Sequence, residues 1–344
     1  MKKYLIYTLI VIAVLLPGNG WSQTRTLVDM VGRTVSLTRP VNRIVTTFKP
    51  TTLCLFSMGL QDKLVGIDTS SKKDPLTLAV MPDVAKLTAV GSKSTGINFE
   101  TVTSLKPDLV ILYAQKDGFD LAQRLGVMEI PSIIILPESF ESVKTSLNII
   151  ALAAGVPERA DRVVKLMDGV LLMVDHRVAT LGVQEQKTGY FASSRGLFST
   201  ATGSMLQDEI FQRAGVVNVA HDLQGYFQDI SPEQLLRWNP DLMVISQHLH
   251  NPVAKRLNDP VLRRVKAVAN RDVYRSPSNL APWDFPSPLA VLGTLWLANR
   301  AYPDLFSDID LGVEVDRFHA ELFGRTMTEM GGTLNDLVLD GAGL

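Results

Sequence analysis

Residues 97–112, INFETVTSLKPDLVIL, and residues 230–245, ISPEQLLRWNPDLMVI, follow one pattern: a glutamate, a Pro-Asp-Leu seven residues later, then an apolar run. A helix can begin at the glutamate, cannot continue through the proline, and gives way to a strand apolar on both faces. A chain that carries this helix-turn-strand unit twice, 133 residues apart, is expected to fold as two similar halves.

Local physics accounts for part of each copy. Asn98 is placed to cap the first helix and Ser231 the second, where Pro232 and Glu233 fill the first turn and Gln234 completes an S-x-x-Q capping box. Glu100 and Glu233 then occupy the second helical position, where the positive end of the helix dipole favours a carboxylate. Capping and solvation alone would explain such a glutamate, so a further role stays open here.

Around the two copies, strand-length apolar runs alternate with helical patterns, the signature of parallel α/β layers. In the first block the strands are read at 43–48, 63–67, 109–112 and 132–136, with helices near 50–59, 98–105, 117–125 and 139–154. A hairpin, 26–29 with 34–37, precedes them. In the second block the strands are 188–192, 242–246 and 273–276, with helices near 204–214, 231–238, 252–257, 260–266 and 287–302. The stretch from Pro157 to Leu181 opens on a proline suited to a first helical turn and closes at Gly182. As one helix it would be about 37 Å long. The fold class expected is α/β: two Rossmann-like lobes, each with a mainly parallel sheet flanked by helices, joined by one long linker helix. The boundaries are a signal peptide at 1–22, an N-terminal lobe with its hairpin at 23–156, the linker at 157–182 and a C-terminal lobe with terminal helices at 183–344. Two separate cores are the default at this length.

Lys2 and Lys3, the apolar stretch from Tyr4 to Leu16 and the break at Pro17-Gly18 read as a secretory signal. The apolar stretch is too short to span a bilayer. Cys54, the one cysteine, lies far from any cleavage point, so neither a lipid anchor nor an internal disulfide is expected and Cys54 reads as core. The expected location is the periplasm, free of the membrane. The formal charge of −1 becomes −3 without residues 1–22, which gives no support for nucleic-acid binding.

Several stretches in this order, VDMVGRTVSL followed by RIVTTF, GLQDKLVGID, the two Glu-to-Pro-Asp units and WDFPSPLAVLGTLWLANRAYPDLF, resemble the substrate-binding proteins of ABC importers for iron-siderophores, haem or cobalamin. The resemblance covers most of the chain after the signal. It implies two α/β lobes on one long helix, no enzymatic activity, and as partners a permease dimer with its ATPase. It also implies that one glutamate per lobe, here Glu100 and Glu233, docks into arginine pockets of the permease.

Ligands of open α/β sheets bind beyond the carboxyl ends of the strands. Reading off strand ends gives Lys49, Pro50, Tyr113, Arg195, His248, Trp283 and Asp284 as cleft candidates, with Tyr226 beside Phe227 as further wall. Aromatic faces with an arginine fork and a lysine point charge suit an anionic metal chelate or a large planar cofactor. No intrinsic cofactor is expected, and the bound ligand is expected to be a metal complex. The hydroxyls of Thr51, Thr52, Ser92, Ser193 and Ser194 keep a molybdate-type oxyanion as the alternative. His248 and His250 form a His-x-His pair, but the lobe before the linker has no histidine. The family's zinc and manganese binders draw histidines from both lobes, so a bare-metal site is not expected. His319 reads as a surface or packing residue and Trp296 as core.

Two readings of other classes compete. GSKSTG, residues 91–96, has the glycine spacing of a phosphate loop, but Gly96 is followed by Ile97-Asn98 rather than by Lys-Ser or Lys-Thr. An enzyme on this fold should turn its bound compound over. A periplasmic scaffold should hold no cleft ligand and keep its partner when Glu100 and Glu233 are reversed. A monomer is expected.

Overall fold

The computed structural model describes residues 24–92, 95–114, 118–249 and 253–334. The signal reading at 1–22 lies outside them. The hairpin β1 (Arg25–Val28) and β2 (Thr34–Leu37) comes first. The N-terminal sheet then draws on β3 (Ile44–Thr46), β4 (Leu64–Ile67) and β5 (Thr88–Ala89). A two-stranded piece, β6 (Gly91–Ser92) with β7 (Gly96–Ile97), precedes the last two strands of that sheet, β8 (Leu109–Tyr113) and β9 (Ser132–Ile135). The five strands lie in the order β5-β4-β3-β8-β9, all parallel. Helices α1 (Lys49–Ser57), α2 (Pro75–Val80), α3 (Phe99–Ser104), α4 (Gly118–Val127) and α5 (Phe140–Ala154) connect them.

The linker is a continuous helix, α6 (Pro157–Val178), of 22 residues. Beyond it the second sheet uses β10 (Thr188–Ala192), β11 (Ser199–Thr200), β12 (Val217–Asn218), β13 (Gln228–Asp229), β14 (Leu242–Ile245) and β15 (Val273–Arg275). Its parallel part runs β12-β10-β14-β15, and β11 and β13 add an antiparallel edge. The helices here are α7 (Leu206–Arg213), α8 (Pro232–Trp238), α9 (Val253–Leu257), α10 (Lys266–Ala269), α11 (Ala290–Ala301) and α12 (Leu311–Phe323). The helix expected at 260–266 divides into a 3-10 turn, Leu262–Arg264, and α10. The strand expected at 43–48 ends at Thr46, because the chain turns into α1 at once.

Side-chain alternation along the strands decides how the lobes are joined. In β8, Leu109 and Ile111 enter a large central cluster while Val110 and Leu112 enter a separate one. In β14, Leu242 and Val244 enter the same central cluster while Met243 and Ile245 face a third. Each sheet therefore gives one face to a common core and keeps one private core, where two independent cores were expected. The common core is filled by α1, α5, α6, α11 and α12. Segments after β15 cross back to the first lobe: the Leu76 amide donates to the Leu280 carbonyl at 3.1 Å and Arg325 to the Ala79 carbonyl at 3.2 Å. A shared core of this kind resists a wide hinge motion.

Candidate functional site

Strand order fixes where a site can form. In the first sheet the order reverses between β3 and β8, and in the second between β10 and β14. At such switch points neighbouring loops leave in opposite directions and open a crevice at the carboxyl ends of the strands. The residues there are Phe48, Lys49 and Tyr113 from the first lobe, and Ser193 to Arg195 and Ser246 to His248 from the second.

At the first switch point the rings of Phe48 and Tyr113 pack with centroids 4.4 Å apart and planes tilted by 34°. Tyr113 is buried and its hydroxyl is hydrogen-bonded to Glu138, which follows the neighbouring strand β9. Lys49 opens α1 and is itself buried, its ammonium 2.6 Å from Asp74. Burial pushes the Asp74 carboxyl up and the Lys49 charge pulls it back. Pro50 lies in the first turn of the same helix and is buried.

From the second lobe, the segment Trp283–Asp284–Phe285 reaches across. Lys49 sits 5.8 Å from the Phe285 ring, and His248 meets the same ring edge-on at 5.2 Å. Phe285 thus joins a residue of each lobe. Asp284 is buried, accepts from the Ser246 hydroxyl at 2.6 Å, and its backbone carbonyl accepts from Gln207 at 2.7 Å. Burial pushes its carboxyl up to about 6 against the pull of Ser246 and Lys49. On the outer loops Arg195 covers the Phe227 ring at 5.4 Å, and Tyr226 is exposed.

The structure therefore redistributes the expected candidates. Lys49, Tyr113 and His248 come to the two switch points, and Arg195 and Tyr226 stand on exposed loops at the rim. Trp283 has no exposed surface and packs in the common core, so it offers no face to a ligand. Lys49 is closed into an ion pair, and Asp284 and Pro50 are enclosed, so these three shape the site from beneath rather than line it. His250 lies outside the described residues, which leaves the His-x-His pair without a geometry. Phe285, Phe48, Asp74 and Glu138 were missed. Glu138 could have been found, since it lies just beyond the carboxyl end of β9, beside the end of β8 where Tyr113 stands; Phe285 could not, because sequence does not say which residue of a Trp-Asp-Phe loop turns inward.

Four of the five oxyanion candidates have hydrogen-bond partners within the fold, Ser92 to the Thr95 hydroxyl at 2.9 Å among them. The Thr51 hydroxyl donates to the Phe48 carbonyl at 2.5 Å, and Thr52 is bonded to Thr46 at 2.7 Å and to Asp68 at 3.4 Å. The Ser193 hydroxyl accepts from the Arg195 amide at 3.2 Å, and Ser194 is exposed. The phosphate-loop spacing resolves into a tight antiparallel pair: a Cβ on Gly91 would lie 2.2 Å from the Gly96 carbonyl oxygen, which is the reason for that glycine, and Gly96 itself stands at φ 82°. Among the described residues no group of three or more His, Cys, Asp or Glu side chains could hold a metal ion. Cys54 is buried, and His319 is buried with its Nδ1 2.8 Å from the Val315 carbonyl.

Glu100 and Glu233 are both exposed on the first turns of α3 and α8. Asn98 accepts from the Thr101 amide at 2.8 Å and Ser231 from the Gln234 amide at 3.2 Å. The second half of the expected capping box does not form, because Gln234 Oε1 accepts from Arg237 at 2.5 Å instead. Backbone amide and Ser231 hydroxyl bonds hold the Glu233 carboxyl below its usual range.

The sequence matches the model of the periplasmic binding protein family over residues 44–280, and the chain belongs to that family. It is 23% identical to the molybdate-binding protein MolA of Haemophilus influenzae over 91% of this chain and 95% of that one. The molybdate-bound structure of that protein superposes with a TM-score of 0.79 at 20% identity, covering 88% of this chain and 98% of the other. The chain is also 25% identical to YvrC of Bacillus subtilis, an uncharacterised ABC transporter substrate-binding lipoprotein, over 82% of this chain and 87% of that one. The vitamin B12-binding protein of Yersinia pestis is 25% identical over 59% of this chain and 69% of its own. No helix of the described residues is long and apolar enough to cross a membrane.

Proposed function

We propose that this chain is the exported receptor of an ABC importer and that its cargo is a metal chelate, of the ferric-siderophore, haem or corrinoid kind. One observation carries the cargo reading. The switch points present aromatic faces, Phe48 on Tyr113 and His248 on Phe285, with Arg195 over Phe227 at the rim, while the Lys49 ammonium is neutralised by Asp74. Such a surface favours a bulky complex with delocalised charge; a compact dianion needs several converging donors. Glu100 and Glu233 serve as the outward anchors to a permease pair, one from each lobe. The protein works free in the periplasm, although its relative YvrC is a lipoprotein.

The molybdate-type reading has a specific observation of its own, the match to MolA along nearly the whole chain. Titration calorimetry of the mature protein with a ferric tris-catecholate, haemin, cyanocobalamin, molybdate and tungstate separates the two. One of the chelates is expected to bind at submicromolar level and leave unchanged, raising stability by about 2.7 kcal/mol at a hundredfold excess over Kd. Binding of molybdate or tungstate with none of the chelates would replace the chelate reading by the oxyanion one.

A further inference from the structure

The linker helix has an outer face that the fold does not explain. Beside it lies a groove of about 770 Å³, walled by the end of α1, by α6 and by α12. It is remote from the switch points: Lys49 and Ser57 are opposite ends of α1, about 12 Å apart. Its floor is apolar, with Met58, Val163 and Leu166. Its rim is basic. Arg159 donates to the carbonyls of Met58 and Gly59, and Arg317 is paired with Glu314 and Glu321. Arg162 and Lys165 are exposed and pair with no described residue, on a chain whose overall charge is slightly negative.

An independent observation lies on the same face. Gly169 also lines the groove, in the middle of the 22-residue helix α6, where glycine costs roughly 1 kcal/mol relative to alanine. A Cβ built there meets nothing within 4 Å, so no contact within the described fold requires a glycine. One turn further on, Leu172 is 56% exposed. Residues 162, 165, 169 and 172 fall at helical spacing on one side of α6, and the row is about 15 Å long. It reads as two unpaired cations, a point of close backbone approach and an exposed apolar residue.

We infer that this face of α6 docks an acidic, amphipathic helical segment of a partner protein, seated between α1, α6 and α12. Carboxylates three or four residues apart on such a helix match Arg162 and Lys165, and its apolar residues meet Leu166 and Leu172. Gly169 lets the two backbones come close. A small anion would use the cations and would have no need of Gly169 or Leu172. Because the groove is at the opposite end of α1 from Lys49, occupation should leave cargo binding unaffected.

The test uses the full mature protein and a synthetic 18-residue helix with glutamates on one face and leucines on the other, followed by fluorescence anisotropy. The glutamate peptide should bind, and its lysine counterpart should not. Arg162→Glu with Lys165→Glu should weaken binding roughly tenfold or more. Gly169→Leu should abolish it, whereas Gly169→Ala should keep it and raise the melting temperature by about 2 °C. Equal binding of the lysine peptide, or undiminished binding to a folded Gly169→Leu protein, overturns the inference. So does displacement of the glutamate peptide by millimolar citrate at constant ionic strength, which would assign the groove to a small anion.

Discussion

The two helix-turn-strand units agree where the backbone is concerned and differ where it is not. In both, the residue before the proline is left-handed, Lys106 at φ 47° and Asn239 at φ 47°. In both, the aspartate after the proline clamps the start of the adjacent parallel strand. Asp108 accepts from the amides of Asn42 and Arg43 at 3.0 Å each, and Asp241 accepts from the Thr188 amide at 2.7 Å and its hydroxyl at 2.8 Å. The Pro-Asp half of the repeat is therefore fold. The glutamates clamp no strand: Glu233 is held only locally, by its own helix start and the Ser231 hydroxyl, so neither residue ties its lobe together as the aspartates do.

That division predicts its own failure points. Reversing both glutamates, Glu100→Lys with Glu233→Lys, should abolish stimulation of the cognate permease ATPase, while melting temperature and cargo affinity stay near wild type. Stimulation that survives the double reversal would return both residues to capping.

The clamp should behave in the opposite way, being large in stability and silent in docking. Asp108→Ala leaves two amides without their acceptor and should cost about 2–3 kcal/mol in urea denaturation, and Asp241→Ala, whose side chain is more exposed, about half as much. Burial raises the Asp241 carboxyl, but bonds from Lys266 and Thr188 outweigh it and hold the group below the usual range. A lowered folded-state value means stabilisation that is complete above the unfolded value, near pH 4, and fades as the pH falls. The gap between wild type and Asp241→Asn should accordingly narrow between pH 6 and pH 3.

Buried carboxylates at the carboxyl ends of the sheets extend the comparison. In the first lobe Asp68 accepts from the Ser70 hydroxyl and from the amides of Ser70 and Ser71 at 3.1 and 3.0 Å. In the second, Asp284 has the Ser246 hydroxyl on one oxygen and sits near pH 6. Its folded value is raised, so the stability it contributes is present below about pH 4 and is lost as the pH climbs through 6. Asp284→Asn should be neutral at pH 4 and stabilising by about 2 kcal/mol at pH 7.5; a gain that is the same at both pH values would assign the effect to packing.

Much of the fold was legible because its signals are local and repeated. Thr188–Ala192 and Thr34–Leu37 were placed to the residue, and the linker was one helix from its first proline. Strands of two residues, such as Ser199–Thr200 and Gln228–Asp229, have too little length for any periodicity to register. The common core was not legible either, since alternation in Leu109–Leu112 says that both faces are buried but not that one is shared with the other lobe. The site was readable only to the level of strand ends. Whether Trp283 or Phe285 faces outward, and whether Lys49 finds a carboxylate from α2, depends on contacts between distant segments that no window of sequence contains.

The left-handed residues offer the smallest and most selective test of the likeness between the two units. Both sit at the same φ, yet a lysine pays for its Cβ there by roughly 1 kcal/mol, while asparagine tolerates the conformation. Glycine relieves that strain but adds freedom to the unfolded chain, which returns part of the gain. Lys106→Gly should therefore stabilise by about 0.5 kcal/mol, whereas Asn239→Gly also removes the Oδ1 that accepts from the Lys266 amide at 2.8 Å and should destabilise by about 0.5–1 kcal/mol. Equal responses at the two positions would mean that the turns differ in some way that φ alone does not express, and the repeat would then be one of sequence more than of backbone.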